Sequence, residues 1–454
     1  MQKGLRTERD TLGQWSIPAN AMYGSQTGRA IENFPISGRK LSEWPVFPWS
    51  FACVKEACAF ANMSLGKLSK SKYDAIQGAC SEIRAGAFVD QFAVDVFQGG
   101  AGTSTNMNVN EVIANVGLRR LGLTAGDYAS LHPIDDVNMS QSTNDVYPTA
   151  ARLAAFKESA RLTKSLAALA SAFEKKSSAF QNVSKIGRTQ LQDAVPMTLG
   201  QEFSAFATTI DEDVRKLPII ADNFTEVGLG GTAIGTGLNA PDGFGELALN
   251  RLNEITGLRF VRSTNLLEAT WDMGAFVLYS GMLKRTASKL SKIANDLRLL
   301  SSGPVGGIGE IRLPPRQPGS SIMPTKVNPV IPEVVNQVCF HVIGNDVTIT
   351  LAAEAGQLQL NAMMPVIALK TFESISYLAS ATDVLTRLCV EGIEANPDAC
   401  SRPLTSAVAR ATALVPEIGY EAAAKVTKLI EAGATFESAR LQVMRSLNSP
   451  EHSH

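Results

Sequence analysis

Apolar residues recur at helical spacing along the middle of the chain. In the segment 151–180, an apolar stripe follows the i, i+4, i+7, i+11 pattern of a buried helix face, while charged residues fall among the exposed positions. The stripe consists of Leu162, Leu166, Leu169 and Phe173. A second segment, 271–300, repeats leucine and isoleucine at near-heptad spacing until SSGP ends it, because proline disfavours helix in the preceding residue. Both segments are predicted to be long helices.

A third segment, from about Glu333 to Met364, contains no proline and is apolar around much of its circumference. It is predicted to be a central helix of a bundle, since long helices bury their apolar stripes against one another. At ~1.5 Å per residue such helices reach roughly 40 Å, which is too long for one small domain to cover. We therefore expect long partner helices, from the same chain or from another copy.

Alternating β-branched runs bounded by turn signals are scarce, which favours an all-α fold. The 454 residues are about three times the ~150-residue prior for one domain. We expect an N-terminal helical domain over 1–135, a central long-helix bundle over 136–395 and a small C-terminal helical domain over 396–454.

Composition excludes several classes of function. The 42 basic and 43 acidic residues leave a formal charge of −1, so no overall field holds nucleic acid or an anionic membrane. No apolar run reaches the ~18 residues of a membrane span, and the polar start lacks the apolar core of a signal peptide. The six cysteines show no C-x-x-C spacing and are expected to be reduced, buried thiols. A cytoplasmic protein is predicted.

Histidine is rare, with four copies, two of which (His452 and His454) lie in a polar tail. His132 and His341 alone are too few for a histidine-based zinc site or a Ser-His-Asp triad. Neither a metal nor another cofactor is predicted. His132, beside Pro133, is typical of a capped turn, and His341 of an ordinary helix face.

Four polar stretches interrupt the helical pattern. They are QGGAGTSTNMN at 98–108, HPIDDVNMSQSTND at 132–145, GRTQLQDAVPMTLGQE at 187–202 and GSSIMPTKVNPVIPE at 319–333. Most such clusters are only loops and helix caps. Each of these, however, places uncharged donors beside a helix start, where free backbone N–H groups suit a carboxylate or a phosphate.

The stretch at 319–333 carries the most chemical information. Its glycine permits a mobile loop, Lys326 can neutralise an anion, and a hydroxyl near a lysine and a helix terminus can have its oxyanion favoured. These groups suit the abstraction of a proton beside a carboxylate. The resulting dianion needs donors already in position, and losing one commonly costs ~10²–10³ in rate.

The run GSSIMPTKVNP at 319–329 resembles the GSSxMPxKxNP signature of the aspartase and class II fumarase superfamily. PANAMYGSQTGRAIENFPIS at 18–37, GTAIGTGLNAP at 231–241, VIPEVVNQVCFHVIGND at 330–346 and the other polar stretches are similar to this family too. The resemblance implies a helical subunit of three regions, whose five-helix central bundle joins a twenty-helix core in a homotetramer. It also implies active sites formed by segments of three subunits.

This superfamily eliminates across a succinyl C–N or C–O bond and releases fumarate. The resemblance implies that Ser320, on a closing loop, is the general base that takes the Cβ proton, with Glu333 supporting the loop. By their positions in the motifs, Lys326, Asn328 and Thr189 would hold the α-carboxylate, Thr103, Ser142, Thr143 and Ser321 the β-carboxylate, and Asn144 and Gln190 would face the leaving amino group.

Gln190 stands where fumarases have histidine. An amide can hydrogen-bond an amine but cannot shuttle a proton as imidazole does, which favours a C–N lyase. The main expectation is reversible, cofactor-free deamination of L-aspartate to fumarate and ammonia by anti elimination through an aci-carboxylate. The alternatives are a C–N lyase for an N-substituted or otherwise modified aspartate, a class II fumarate hydratase and a non-catalytic helical scaffold.

Several site residues also have a purely structural interpretation. Ser142 and Thr143 are typical helix caps, and Glu333 suits the positive end of a helix dipole. The sequence departs from the family pattern at Ile134, Met139, Val305 and Thr325. Two of these changes remove a cation, which leaves open a rearranged pocket and a modified aspartate as substrate. The change at Ile134 removes an asparagine of the accessory anion site of fumarases.

Overall fold

The computed structural model describes residues 4–323, 326–405, 411 and 413–447. Helices occupy most of this range, which confirms the all-α class. The α-helices are α1 (Ser25–Asn33), α2 (Val46–Ser64), α3 (Lys70–Arg84), α4 (Thr103–Arg120), α5 (Thr143–Ala179), α6 (Leu199–Ala221), α7 (Phe244–Thr256), α8 (Leu266–Trp271), α9 (Gly274–Leu300), α10 (Val330–Glu354), α11 (Met364–Leu388), α12 (Pro397–Ser401), α13 (Val415–Ile418), α14 (Tyr420–Glu431) and α15 (Phe436–Leu447).

Five of these helices are long, as expected for the central bundle. α5 has 37 residues, α6 has 23, α9 has 27, and α10 and α11 have 25 each. The first two predicted helices are confirmed, since the segment 151–180 falls almost entirely within α5 and 271–300 within α9. All four residues of the predicted α5 stripe are fully buried.

The third predicted helix is wrong in its extent. A single helix was expected from about Glu333 to Met364, but α10 ends at Glu354 and α11 begins at Met364. Asn361 Nδ2 donates to the carbonyl oxygens of Ala352 and Ala353, both at 3.0 Å, and so satisfies carbonyls at the end of α10. A polar side chain thus ends the helix where the apolar pattern alone predicts its continuation.

Four two-stranded sheets accompany the helices. β1 (Leu5–Asp10) pairs antiparallel with β2 (Gly13–Pro18), β3 (Ser184–Thr189) antiparallel with β4 (Gln192–Thr198), β5 (Glu226–Val227) parallel with β6 (Val261–Arg262), and β7 (Ile311–Arg312) antiparallel with β8 (Glu394–Ala395). The polar stretch at 187–202 is therefore mostly a β-hairpin that leads into α6, rather than a loop.

The chain forms two compact units. The described residues of the first fall within Met1–Thr163, Arg215–Ala287 and Phe340–Ala379, and those of the second within Lys164–Val214, Ser288–Cys339 and Ser380–His454. Each of the five boundaries falls inside one of the long helices. The division into three regions stays a prediction.

In the first unit, an aromatic cluster holds the start of α5 against α2. The ring centroid of Phe47 lies 5.0 Å from that of Phe51, 5.2 Å from that of Tyr147 and 5.1 Å from that of Phe372, in tilted or edge-on arrangements. Such pairs contribute beyond the apolar area that they bury. The first two turns of α5 are thus fixed in place.

The second unit has its own aromatic core. Phe173 of α5 lies 6.0 Å from Phe203 and 5.6 Å from Phe206, both on α6 (ring centroids). Leu199 at the start of α6 is fully buried. Because β4 leads directly into α6, this core anchors the base of the β3–β4 hairpin.

All six cysteines are free and buried, as predicted. Among the described residues, no helix combines the length and apolar character that crossing a membrane requires. His452 and His454 lie outside the described residues.

Candidate active site

A capping box closes the segment before α5. Ser142 precedes the first helical residue, Thr143, and its Oγ accepts a hydrogen bond from Asn144 N–H (3.2 Å). In return, Asp145 Oδ1 accepts from Ser142 N–H (2.9 Å). The interpretation of Ser142 as a helix cap is confirmed. Because Oγ acts as an acceptor here, its O–H proton is available to an anion.

The side chains of Thr143 and Asn144 each make one hydrogen bond within the protein and leave a second polar group for a ligand. Thr143 Oγ1 accepts from Asn106 Nδ2 (3.1 Å), which leaves the Thr143 proton for donation. Asn144 Nδ2 donates to Ala233 O (2.8 Å), which orients the amide. Its Oδ1 can then accept a hydrogen bond from an amino group.

Thr103 begins α4 after a turn of left-handed residues. Gly100, Ala101 and Gly102 have φ of 80°, 55° and 92°. A Cβ on Gly102 would lie 2.3 Å from Tyr147 Cδ2, so only glycine permits this close approach of the start of α4 to α5. Thr103 Oγ1 donates to Gly100 O (2.8 Å), and its hydroxyl must rotate to meet an anion. The close approach of Gly102 to Tyr147, with the hydrogen bond from Asn106 to Thr143, places the start of α4 against the first turns of α5.

Behind these hydroxyls lies a buried polar cluster that sequence reasoning missed. Lys55 of α2 is 0% exposed, and its Nζ donates to Asn138 Oδ1 (2.8 Å) and Gln141 Oε1 (2.9 Å). Asn138 Oδ1 also accepts from Asn106 Nδ2 (3.1 Å), the amide that holds Thr143. The available signal was a lysine inside the apolar run SFACVKEACAF.

Two buried groups in this cluster have shifted pKa values. Burial lowers the pKa of Lys55 to about 7, because the ammonium loses its hydration. Burial raises the pKa of Asp145 to about 6, although hydrogen bonds from the N–H groups of Ser142, Thr232 and Gly230 oppose the rise. Through the hydrogen bonds from Gly230 and Thr232, Asp145 also connects the start of α5 to the GTAIGTGLNAP segment.

The two described histidines have the structural roles that were expected. His132 Nδ1 accepts from the N–H groups of Ile134 (3.1 Å) and Asp135 (3.0 Å), as a capped turn residue does. His341 lies on α10 with its Nε2 3.3 Å from Glu373 Oε2. Ile134 is 41% exposed beside the capped turn.

The second unit presents Thr189 and Gln190 at the tip of the β3–β4 hairpin. Gln190 and Leu191 form a two-residue turn with φ of 54° and 62°, the left-handed backbone of a type I′ turn. Such a backbone costs non-glycine residues of order 1–3 kcal/mol each and is often found at functional sites. Both Thr189 and Gln190 are exposed.

The loop that begins at Gly319 surrounds the Ser320 hydroxyl with donors. Ser320 Oγ accepts from the N–H groups of Ile322 (3.2 Å) and Met323 (3.1 Å). Hydrogen bonds to a charged form favour it, so these two donors stabilise a serine alkoxide. Ser321 is exposed beside it, and Pro324 and Thr325 lie outside the described residues.

Backbone bonds close the loop on itself. Gly319 N–H donates to Lys326 O (2.8 Å), and Asn328 Nδ2 donates to Gly319 O (2.8 Å). Lys326 is exposed, and its ammonium has no ion-pair partner in the described part of the chain. Glu333 lies in the first turn of α10, where a carboxylate suits the helix dipole.

Two departures from the family pattern differ in their exposure. Val305 is 95% exposed, whereas Met139 is partly buried and its carbonyl oxygen accepts from Asn62 Nδ2 (2.9 Å). No three His, Cys, Asp or Glu side chains form a metal-ligand group within the ranges that the structure describes.

Comparison with protein families gives a match to one described as lyase, over residues 13–344. Three bacterial relatives carry the name aspartate ammonia-lyase. The protein of Pseudomonas aeruginosa is 58% identical over 93% of this chain and 90% of its own length. That of Helicobacter pylori is 53% identical over 93% and 91%, and that of Escherichia coli 52% identical over 92% and 88%.

Solved structures with the same fold include two that cover nearly the whole chain. A structure described as fumarate lyase:delta crystallin from Brucella melitensis bound to cobalt has a TM-score of 0.93 at 54% identity, covering 98% of this chain and 96% of that one. A class II fumarase from Schistosoma mansoni has a TM-score of 0.92 at 35% identity, again covering 98% and 96%.

Proposed function

Since this chain belongs to the lyase superfamily of aspartases and class II fumarases, we propose that it is an aspartate ammonia-lyase. The reaction is the reversible anti elimination of ammonia from L-aspartate, which gives fumarate through an aci-carboxylate intermediate. One observation carries the assignment: relatives named for this activity are more than half identical to the chain over about nine-tenths of its length.

Ser320 is proposed as the general base. A serine hydroxyl is a weak nucleophile and base near neutral pH unless its alkoxide is stabilised. The N–H groups of Ile322 and Met323 already point at Ser320 Oγ and supply that stabilisation. The oxygen then takes the Cβ proton of the substrate, and ammonia leaves Cα from the opposite face once the aci-carboxylate has formed.

Removal of the Cβ proton places a second negative charge on the β-carboxylate. The hydroxyls of Ser142 and Thr143 each accept a hydrogen bond from the protein and keep a proton to donate to this carboxylate. Thr103 and Ser321 are proposed to complete this set of neutral donors. Because the Ser142 and Thr143 donors are in place before the charge develops, they stabilise the more highly charged intermediate more than the substrate.

The α-carboxylate is proposed to meet Lys326, Asn328 and Thr189. Lys326 supplies the cation, and Asn328 retains a second amide N–H after donating one to Gly319 O. Asn144 and Gln190 are proposed to face the amino group. Asn144 offers Oδ1, because its Nδ2 is engaged by Ala233 O.

The exposed face of α10 supports a homotetramer. Phe340, Val347 and Leu351 lie at i, i+7 and i+11 on one face of this helix and are 61%, 56% and 63% exposed. An apolar stripe of this kind is typical of a protein–protein interface. We propose that the same helices of other copies cover it in a twenty-helix core, and that each active site draws residues from three subunits.

The six free thiols favour a reducing compartment, the cytoplasm.

The assignment is tested with purified protein and three substrates: L-aspartate, L-malate, and fumarate with ammonium. Ultraviolet absorbance of fumarate reports all three reactions. We expect turnover of L-aspartate, the reverse reaction with ammonium, and no turnover of L-malate, because Gln190 cannot shuttle a proton to water. Turnover of L-malate but not of L-aspartate would indicate a hydratase. Turnover of only N-substituted aspartates would indicate a different C–N lyase, and none at all a scaffold.

A further inference from the structure

The β3–β4 hairpin carries two proposed substrate contacts on a tip that has few attachments. In the described structure, the side chains of Thr189 and Gln190 make no hydrogen bond or ion pair, and both are exposed. The base of the hairpin is held by buried Ile186 and by the start of α6. What fixes the tip must therefore act through a residue close to it.

Arg188, next to Thr189, supplies that attachment. Its Nη1 donates to Glu310 Oε1 (2.7 Å), and Lys185 Nζ lies 2.6 Å from Glu310 Oε2. Residues three apart on a regular strand point to opposite faces. The β3–β4 ladder shifts register between Ile186 and Arg188, and such a bulge adds twist to the strand. The side chains of Lys185 and Arg188 therefore both reach the Glu310 carboxylate.

The backbone around Glu310 is itself held firmly. Glu310 is 0% exposed, and its carbonyl oxygen accepts from Asn396 N–H (2.9 Å). Asn396 Nδ2 donates to Gly309 O (2.9 Å), and the next residue, Ile311, pairs with Ala395 in the β7–β8 ladder. The carboxylate therefore has a fixed position against which the hairpin is aligned.

We propose that Glu310 is a positioning residue which, through Arg188, fixes the hairpin tip so that Thr189 and Gln190 meet the substrate. This inference rests on the proposed function, because that function places both residues against L-aspartate. From Arg312 the chain continues to the Ser320 loop. The same buried segment thus sets the position of the hairpin tip and the start of that loop.

The test compares E310Q with E202Q. Glu202 Oε2 also lies 2.6 Å from Lys185 Nζ, so both variants remove one negative charge from the same lysine, but the Glu202 carboxylate makes no contact with Arg188 among the described residues. We expect E310Q to raise the KM for L-aspartate about 10-fold and to lower kcat/KM by ~10–10², since a misplacement of about 1 Å can cost 10² in rate. E202Q should stay within about 3-fold of wild type. Equal effects of the two variants would overturn the inference.

Measuring the effect of E310Q in a second variant, Q190A, distinguishes a positioning role of Glu310 from a purely structural one. In the Q190A variant, E310Q should cost clearly less in kcat/KM than in the wild type, because one of the groups that it positions is already gone. Equal losses in the two backgrounds would contradict positioning. If E310Q fails to fold, R188Q breaks the same ion pair at a residue whose side chain is 18% exposed. Its control is D193N, which removes only the 3.8 Å contact between Arg188 Nε and Asp193 Oδ1.

Amide hydrogen exchange tests the attachment without any turnover. Peptides that cover 188–193 should exchange faster in E310Q than in wild type and E202Q, while peptides from α6 stay unchanged. Unchanged exchange at the tip would refute the inference. A wild-type protein that fails to convert L-aspartate would refute only the proposed function.

Discussion

Two adjacent serines of one loop have different surroundings. Ser320 Oγ accepts two backbone N–H groups, whereas Ser321 is an exposed side chain. We expect S320A to lower kcat by about 10²–10⁴, the usual contribution of general base catalysis, and to leave the affinity for succinate nearly unchanged. S321A should mainly raise KM. Steady-state kinetics and succinate titration measure both variants, and near-normal kcat in S320A would remove the assignment of the base.

The buried ammonium of Lys55 makes stability depend on pH. Its pKa falls from the ordinary 10.5 to about 7 in the folded protein. Between these two pH values the unfolded chain holds a proton that the folded chain has released, so the free energy of unfolding rises with pH, by at most about 1.4 kcal/mol per pH unit. Below pH 7 the cost of burying the charge is present in full.

We therefore expect K55M to abolish this rise. The measurement is the free energy of unfolding in urea from pH 7 to pH 10 at one protein concentration, compared with wild type and with K67M, which changes an exposed lysine near the end of α2. K55M also leaves Gln141 Oε1 without its donor and removes one of the donors to Asn138 Oδ1. It therefore lowers stability overall, so the pH slope decides the result. Parallel curves for wild type and K55M would show that Lys55 stays charged in the fold.

Among the elements, helices with one buried face could be predicted from the sequence, and the hairpins could not. The stripe from Leu162 to Phe173 repeats over several turns, so its period is unambiguous. β3 and β4 lack a buried face along most of their length, and alternation was therefore absent as a signal. The end of α10 was missed because Asn361 acts from beyond the helix, a contact that the apolar pattern does not contain.

The loop around Ser320 needs glycine at its first position. A Cβ on Gly319 would lie 2.5 Å from Lys326 O, whereas a Cβ on Gly306, in the same compact unit, has nothing within 4 Å. We expect G319A to open the loop and lower kcat/KM by about 10², because the Ser320 hydroxyl and Lys326 lose their alignment. G306A should behave as wild type. Kinetics and thermal unfolding of both variants check this, and a fully active G319A would show that the loop tolerates the displacement.

At the scale of the whole molecule, the sequence predicts candidate site residues but not the side chains that hold them in place. Ser142, Thr143 and Ser320 are predicted because their motifs resemble a known family, while Lys55, Asn138 and Glu310 were missed. Supports of this kind are polar side chains inside apolar surroundings, and their partners come from distant parts of the chain. Only a folded structure shows which buried charge faces which amide.

The proposed sharing of each active site between subunits predicts complementation. In the proposed homotetramer, S320A and T143V should each be inactive alone, but in hybrids formed by unfolding and refolding an equal mixture, some sites should draw Ser320 from one variant and Thr143 from the other. With random assembly and the two residues on different subunits, about a quarter of the sites are intact, so activity should return to about a quarter of wild type. The matched control is each variant refolded alone. Hybrids that stay inactive, despite a tetrameric mass in solution, would mean that Ser320 and Thr143 serve the same site from one subunit.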